Sequence, residues 1–154
     1  IYASLAGWNC SFETVVAGQP FEGTGIAAAI HASLRHANLT ADDISHVNAH
    51  GSGSLHGDQA EAHAIQQQLG DTPVTAMKSC FGNLGTGSGA IELVGAALCI
   101  EQDLVPATRN YVNADPKCPV HVIRDTPLTE KQQAAVVLSY SGTGQAASVV
   151  LRKP

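Results

Sequence analysis

The fold of this chain is decided by residues 47–54, which read Val-Asn-Ala-His-Gly-Ser-Gly-Ser. The apolar run at residues 44–49 predicts a short buried strand that delivers His50 into a loop of small residues. Ligands of open α/β sheets bind at strand ends, and glycines let a ligand approach the backbone closely. We therefore expect His50 to belong to a polar site at the edge of a sheet.

A second strand, predicted at residues 74–79, is followed in the same manner by Asn83 among glycines. Around these two strands the hydrophobic pattern alternates between strand and helix periodicity. The other strands are predicted at residues 1–12, 134–140 and 146–151, the helices at 23–38, 58–69 and 87–102, and extended pieces at 105–111 and 120–123. Alternation of this kind predicts an α/β domain, and the closing pair of strands makes its sheet mixed.

The helix predicted at residues 87–102 is apolar on nearly every side, and helices of this kind are normally buried all round. The composition agrees with extensive burial, because 44% of the residues are apolar and only 14% are charged. That charged fraction is low for a single domain that is free in solution. We expect part of the surface to be covered normally by something else.

Charge and cysteine content exclude several classes of function. The net charge of −5 disfavours nucleic acid as a partner, and no apolar run is long enough for a transmembrane helix. We do not expect residues 1–5 to be a signal peptide, because no basic segment precedes them. Residues 109–154 hold six basic and three acidic residues, which fits either docking of an acidic partner or an ordinary solvated surface. The cysteines have no zinc or redox spacing, which predicts reduced thiols and a cytoplasmic location. They are Cys10, Cys80, Cys99 and Cys118.

Two weaker motifs have ordinary explanations. Residues 85–90 match the dinucleotide fingerprint G-x-G-x-x-A, but no strand runs directly into them and no acidic residue closes the following strand. His56 and His63 lie seven residues apart on one helix face with Asp58 nearby, which an ordinary polar face explains better than zinc. The chain also lacks a nucleophile elbow and a Walker A loop, and we predict no metal site.

A linked series of motifs runs from His50 to the end of the chain. It reads H-G-S-G-S at 50–54, G-D at 57–58, E at 61, K-S at 78–79, G-N at 82–83, E at 92 and S-Y-S-G-T-G at 139–144. This order and spacing resemble the C-terminal half of the β-ketoacyl synthases, the condensing enzymes of fatty-acid and polyketide synthesis. The pattern of that family is H-G-T-G-T-x-x-G-D-x-x-E, then K-S-x-x-G-H-x-x-G-A-A-G with a later glutamate, then S-F-G-F-G-G. The resemblance covers essentially the whole chain.

The resemblance implies a thiolase-like half, an α/β unit with a mixed five-stranded sheet and helices on both faces. Two such halves pack around two central helices, and the helix at residues 87–102 falls where the second central helix would be. Residues 1–154 would then be the C-terminal domain, without the N-terminal half that carries the nucleophilic cysteine. We therefore expect an apolar face of this helix to be uncovered, which favours self-association.

The resemblance also implies roles for the residues of the site. His50 matches the first of two hydrogen-bond donors to the thioester oxygen, on which negative charge builds when malonyl thioester loses carbon dioxide. Asn83 stands at the position of the second donor, which is a histidine in elongating enzymes. An asparagine amide can donate a hydrogen bond but cannot exchange a proton near neutral pH. Lys78 and Glu92 match a buried pair that holds the two donor loops in place.

Two further groups of residues match contacts to the substrate. Ser52 and Ser54 replace the threonines that bind the pantetheine arm, and a hydroxyl remains at both positions. The loop formed by Ser141, Gly142 and Thr143 matches the gate of the acyl pocket. Gly142 stands in place of a phenylalanine there, which changes acyl-chain selectivity. No cofactor is implied, because the substrate is carried on the phosphopantetheine of an acyl carrier protein.

The function that this resemblance implies is acyl transfer, the decarboxylative condensation of malonyl-carrier protein with an acyl-enzyme thioester. The implied partners are acyl carrier protein, the N-terminal half of the same chain and a second subunit in a homodimer or heterodimer, with no nucleic acid and no membrane. We expect the 154 residues alone to be inactive, since none of their cysteines occupies the nucleophile motif. The alternative is a non-catalytic partner subunit of the chain-length-factor type.

Overall fold

The computed structural model of the chain describes residues 1–16 and 21–154. In this part of the chain one mixed sheet contains five strands, in the order β1-β5-β4-β2-β3. The strands are β1 (Ser4–Phe12), β2 (His46–Asn48), β3 (Val74–Thr75), β4 (Ala134–Tyr140) and β5 (Gln145–Arg152). β2 is parallel to both β3 and β4, whereas β5 is antiparallel to β4 and to β1. The predicted mixed five-stranded sheet is therefore confirmed.

The helices of the described residues are α1 (Thr24–Ala37), α2 (Leu55–Leu69), α3 (Lys78–Phe81) and α4 (Ser88–Gln102), with short 3-10 turns at Ala41–Asp43 and Gly85–Gly87. α2 begins three residues before the predicted start at position 58. Its first turn is stabilised by Ser54, whose hydroxyl accepts a hydrogen bond from the backbone N–H of Gly57. In the described part of the chain, no helix has the length and apolarity needed to cross a membrane.

The strand predicted at residues 74–79 is wrong beyond Thr75. The chain leaves the sheet there, because the N–H of Ala76 donates to the Thr108 hydroxyl at 3.1 Å instead of to a neighbouring strand. Residues 78–81 then form the single helical turn α3, which directs the side chain of Lys78 into the interior. Lys78 is therefore carried by a short helix and does not lie at a strand end.

Helices cover both faces of the sheet, as the thiolase-like prediction requires. On one face α1 and α2 pack against the strands through residues such as Ile26, Ile65 and Val136. On the other face α4 packs through Ala96 and Ile100 against the next set of alternating strand residues. Successive side chains of β4 point to opposite faces of the sheet, and helices cover both faces. The first five of the seven residues of β4 are therefore buried.

One side of α4 is not covered by any of the described residues. Ile91, Val94 and Leu98 are 44%, 58% and 40% exposed. Trp8 of β1 pairs with Val149, which belongs to the α4 face of the sheet, and Trp8 is also exposed. The prediction of an uncovered apolar face is therefore confirmed, and the helix is not buried all round.

Candidate functional site

His50 lies at the edge of the sheet where the carboxyl ends of β2 and β4 meet. One residue, Ala49, separates it from β2, and its imidazole packs against the ring of Tyr140, the last residue of β4, with 4.6 Å between ring centroids. Parallel pairing of β2 with β4 produces this contact, because parallel strands end at the same edge. The half-buried imidazole therefore occupies the position at which open α/β sheets bind ligands.

Lys78 fixes the state of this imidazole. Its ammonium donates to the backbone carbonyl of His50 at 2.7 Å, lies 3.2 Å from His50 Nδ1, and also forms a salt bridge with Glu92. An ammonium group can only donate, so Nδ1 accepts, and a neutral imidazole must carry its proton on Nε2. Burial lowers the pKa of His50 to about 4, with a further contribution from the charge of Lys78 and opposition from Asp58. At neutral pH the exposed end of His50 is therefore an N–H donor.

Glu61 holds the backbone of the histidine loop. Its carboxylate accepts hydrogen bonds from the N–H groups of His50 at 2.7 Å and Gly51 at 2.9 Å. Burial raises the pKa of Glu61 to about 7, although both backbone N–H groups oppose this shift. Gly51 adopts a positive φ of 50°, and a Cβ there would lie 2.8 Å from the methyl group of Ala76. The loop conformation thus needs both the carboxylate and the glycine.

Ser52 and Ser54 have different surroundings. Ser52 donates to the Asp58 carboxylate at 3.0 Å and lies 3.2 Å from the hydroxyl of Tyr140. Ser54 instead caps α2, so its hydroxyl already accepts a backbone hydrogen bond. Both serines line a cleft of about 720 Å³, together with Lys78 and Asn83. The two predicted pantetheine contacts and the second predicted donor therefore face one common space.

Asn83 is exposed, and its amide is oriented by its neighbours. The Oδ1 atom accepts hydrogen bonds from the N–H of Gly85 at 2.9 Å and from the Ser88 hydroxyl at 3.1 Å. The NH₂ group is then the end that remains available as a donor. Among the described residues no hydrogen bond links Asn83 to His50, so the two predicted donors act from separate loops.

The predicted gate loop is the turn between β4 and β5. The hydroxyls of Ser141 and Thr143 lie 2.7 Å apart, and both contact the side-chain oxygen of Gln145. A Cβ built on Gly142 would meet nothing within 4 Å. Hydrogen bonds therefore hold the loop on both sides of Gly142. The space that a side chain at position 142 would enter is open, and the family pattern has phenylalanine at this position.

The structure does not support the two weaker motif interpretations, the dinucleotide fingerprint and the zinc pair. Nine residues, including α3, separate the end of β3 from Gly85, so the glycine run is not a strand–turn–helix phosphate loop. Nowhere in residues 1–16 and 21–154 do three possible metal ligands cluster, and the pair His56 and His63 lies on the exposed face of α2. All cysteines are free thiols, and no hydrogen bond within the described residues joins any of them to His50.

Two residues of the site were missed by sequence reasoning. Glu61 was identified only as one position of the motif, without a role in the site, and Tyr140 only as a residue of a strand. The available signal for Glu61 was an acidic residue within a helix that immediately follows a glycine loop. The signal for Tyr140 was a hydroxyl at a position where the family pattern has phenylalanine.

Comparisons with known proteins agree with this geometry. The model of the β-ketoacyl synthase C-terminal domain matches residues 2–112. The ketoacyl synthase alpha subunit of the tetracenomycin polyketide synthase from Streptomyces glaucescens is 38% identical over 138 residues, which are 85% of this chain and 32% of that subunit. The chain thus spans about a third of the length of the curated relatives that it matches.

Two solved structures superpose over 99% of this chain. One is the ishigamide ketosynthase/chain length factor, with a TM-score of 0.91, 27% identity and coverage of 38% of that chain. The other is a type II polyketide synthase acyl-carrier protein in complex with its ketosynthase bound to the hexaketide, with a TM-score of 0.92, 28% identity and coverage of 39% of that chain. Sequence motifs, site geometry and fold therefore agree, and the chain belongs to the β-ketoacyl synthase family, whose C-terminal domain it matches.

Proposed function

We propose that residues 1–154 are the C-terminal domain of a β-ketoacyl-acyl-carrier-protein synthase, an acyltransferase that condenses malonyl-carrier protein with an acyl-enzyme thioester. The observation that carries this proposal is the contact between Lys78 and His50 Nδ1, which leaves Nε2–H of His50 as a donor. Loss of carbon dioxide from malonyl thioester places negative charge on the thioester oxygen. One fixed donor to such an oxygen contributes about 3–4 kcal/mol to the transition state.

Asn83 is the second donor in this proposal. Its Oδ1 is occupied by two local hydrogen bonds, so that the NH₂ group is presented to the cleft. An amide at this position can stabilise the enolate oxygen but cannot deliver or remove a proton. Any acid or base role of the family histidine is therefore absent, and decarboxylation depends on charge stabilisation alone.

The remaining parts of the active site come from partners. The apolar surface of α4 and β1, which includes Val94, Leu98 and Trp8, is the surface that an N-terminal half would cover. A related ketosynthase has been solved in complex with an acyl-carrier protein, which supports acyl carrier protein as the substrate carrier here. The cleft with Ser52 at its edge would then receive the phosphopantetheine arm.

A second candidate function is a synthase-like subunit that does not itself catalyse condensation. Asn83 and Gly142 favour it, since the family pattern has histidine and phenylalanine at these positions. A relative in the solved structures is a ketosynthase/chain length factor, so both kinds of subunit share this fold. The two candidates differ in one observation, the presence or absence of a nucleophilic cysteine in the complete protein that carries these residues.

The test is release of carbon dioxide from malonyl-carrier protein by the complete protein. His50→Ala should lower the rate by about 10²–10³-fold, whereas His56→Ala, which removes an exposed histidine of α2, should not change it. Asn83→Ala should also lower the rate, and Asn83→His should retain a donor. An unchanged rate for His50→Ala would refute the donor role. The second candidate would be favoured if the wild-type protein released no carbon dioxide, either alone or together with a partner subunit that carries a nucleophilic cysteine.

A further inference from the structure

Tyr140 makes two contacts within the site that the motif comparison does not assign. Its ring packs between His50, at 4.6 Å between centroids, and Phe21, at 5.6 Å with the rings nearly parallel. A phenylalanine would make the same ring contacts. The hydroxyl is the additional group, and its surroundings determine what it does.

The hydrogen bonds around the hydroxyl have a fixed direction. The carboxylate of Asp58 can only accept, so the 3.0 Å contact uses the proton of Ser52. The oxygen of Ser52 must then accept from Tyr140 at 3.2 Å, and it also accepts from the backbone N–H of Ser54 at 3.3 Å. Burial, the first cause, and the nearby charges of Glu61 and Asp58 raise the pKa of Tyr140, so its hydroxyl keeps the proton that it donates.

Space for the tyrosine hydroxyl is provided by the first turn of α2. A Cβ built on Gly57 would lie 2.6 Å from the Tyr140 oxygen, closer than any side chain can approach. The tyrosine hydroxyl therefore sits in a small niche formed by a glycine and a serine. It contacts the serine loop directly and reaches His50 only through its ring.

A serine needs such a contact more than a threonine does. Threonine has a second substituent on Cβ that restricts its χ1 rotation, whereas serine has none. In this chain Ser52 replaces a threonine of the family pattern, and Tyr140 replaces a phenylalanine. The added hydroxyl of one residue compensates for the missing methyl group of the other.

We propose that Tyr140 is a positioning residue that holds the Ser52 side chain against Asp58, and so fixes the serine loop at the edge of the cleft for binding of the phosphopantetheine arm. This inference rests on the proposed function, because it assumes that the cleft receives a carrier-bound substrate. Tyr140 holds the serine through one neutral hydrogen bond. Loss of that bond should therefore weaken binding of the arm.

The experiment compares binding of two forms of acyl carrier protein to the complete protein. The holo form carries phosphopantetheine and the apo form does not, so their difference isolates the arm. Tyr140→Phe should raise the Kd for the holo form by about three- to ten-fold, the ratio expected for one neutral hydrogen bond, and leave the apo form unchanged.

A second variant tests whether the effect acts through Ser52. Tyr140→Phe combined with Ser52→Thr recreates the family pair, and it should recover the wild-type Kd for the holo form. An unchanged Kd in Tyr140→Phe would overturn the proposal, and so would failure of the double variant to recover. These outcomes are independent of the proposed function, which fails only if the wild-type protein does not decarboxylate malonyl-carrier protein.

Discussion

Replacing Lys78 with methionine separates the two tasks of this residue, stabilising the fold and orienting the histidine. The substitution keeps most of the side-chain volume and removes the cation that contacts His50 and Glu92. Lys78 is 7% exposed and Glu92 is 0% exposed, so the two charges form a buried pair. In the described part of the chain the second carboxylate oxygen of Glu92 has no hydrogen-bond partner. Among the described residues, Lys78 is the one cation that forms a salt bridge with Glu92.

The size of the effect follows from this burial. Removal of one member of a buried ion pair costs about 3–5 kcal/mol, because it leaves an uncompensated charge. Burial already raises the pKa of Glu92 against the influence of Lys78, and removal of the lysine should raise this pKa further. We expect Lys78→Met to lower the free energy of unfolding by about 3 kcal/mol or more, a large part of the stability of a domain of this size.

The matched control removes both charges. The double variant Lys78→Met/Glu92→Met fills the same space with apolar side chains, and such replacements are often neutral or stabilising. Its free energy of unfolding should exceed that of the single variant by at least about 2 kcal/mol. Both variants should nevertheless decarboxylate malonyl-carrier protein more slowly than the wild type, by as much as about 10²–10³-fold. The reason is that no ammonium then holds His50 in its Nε2–H tautomer.

Urea unfolding followed by circular dichroism measures the first quantity, and release of carbon dioxide from malonyl-carrier protein measures the second. If Lys78→Met unfolded within about 1 kcal/mol of the wild type, the buried pair would not be charged as described. If the double variant decarboxylated at the wild-type rate, Lys78 would have no part in orienting His50. Either result would refute the reasoning.

Three further predictions concern stability and association. Gly144→Ala should destabilise the chain by about 2 kcal/mol or more, since φ is +95° and the new Cβ would clash with the Glu13 carbonyl, whereas Gly142→Ala should cost less than about 0.5 kcal/mol in urea unfolding. Burial lowers the pKa of His46 to about 4. Between about pH 6.5 and pH 4 the imidazole is therefore protonated in the unfolded state but neutral in the native state. His46 alone should therefore lower the free energy of unfolding by about 2 kcal/mol from pH 7 to pH 5, and His46→Asn should lose this part of the decline. Val94→Glu should reduce self-association of the 154 residues in light scattering, and equal association would contradict the uncovered face as its cause.

The elements with long and uninterrupted periodicity could be predicted from the sequence almost to the residue. The strand predicted at 134–140 and the helix predicted at 87–102 agree with β4 and α4. In each of these segments the hydrophobic pattern fits one type of secondary structure only. The strand at 74–79 was wrong because its later residues satisfy their hydrogen bonds elsewhere. A threonine 32 positions further along takes the N–H of Ala76, and no local pattern encodes that contact.

The same distinction holds within the site. The motif spacing identified His50, and the capping serine at the start of α2 is a local feature. The contact of Tyr140 with Ser52 joins residues 88 positions apart, and it arises only because β4 pairs with β2. Such contacts depend on which strands are neighbours, and this information appears only when the sheet is assembled.

The contacts of His50 distinguish charge stabilisation from proton transfer. Lys78 occupies Nδ1 and the backbone carbonyl, Glu61 occupies the backbone N–H, and Tyr140 covers one face of the ring. Within the described residues no hydrogen bond reaches Nε2, which is left as the single free polar atom of the imidazole. A general base at neutral pH would need a lone pair there and a pKa near 7. The donor at Nδ1 puts the proton on Nε2 instead, and the pKa of about 4 prevents the ring from taking up a second one. These contacts therefore favour the role proposed for His50, stabilisation of a negative charge, over transfer of a proton.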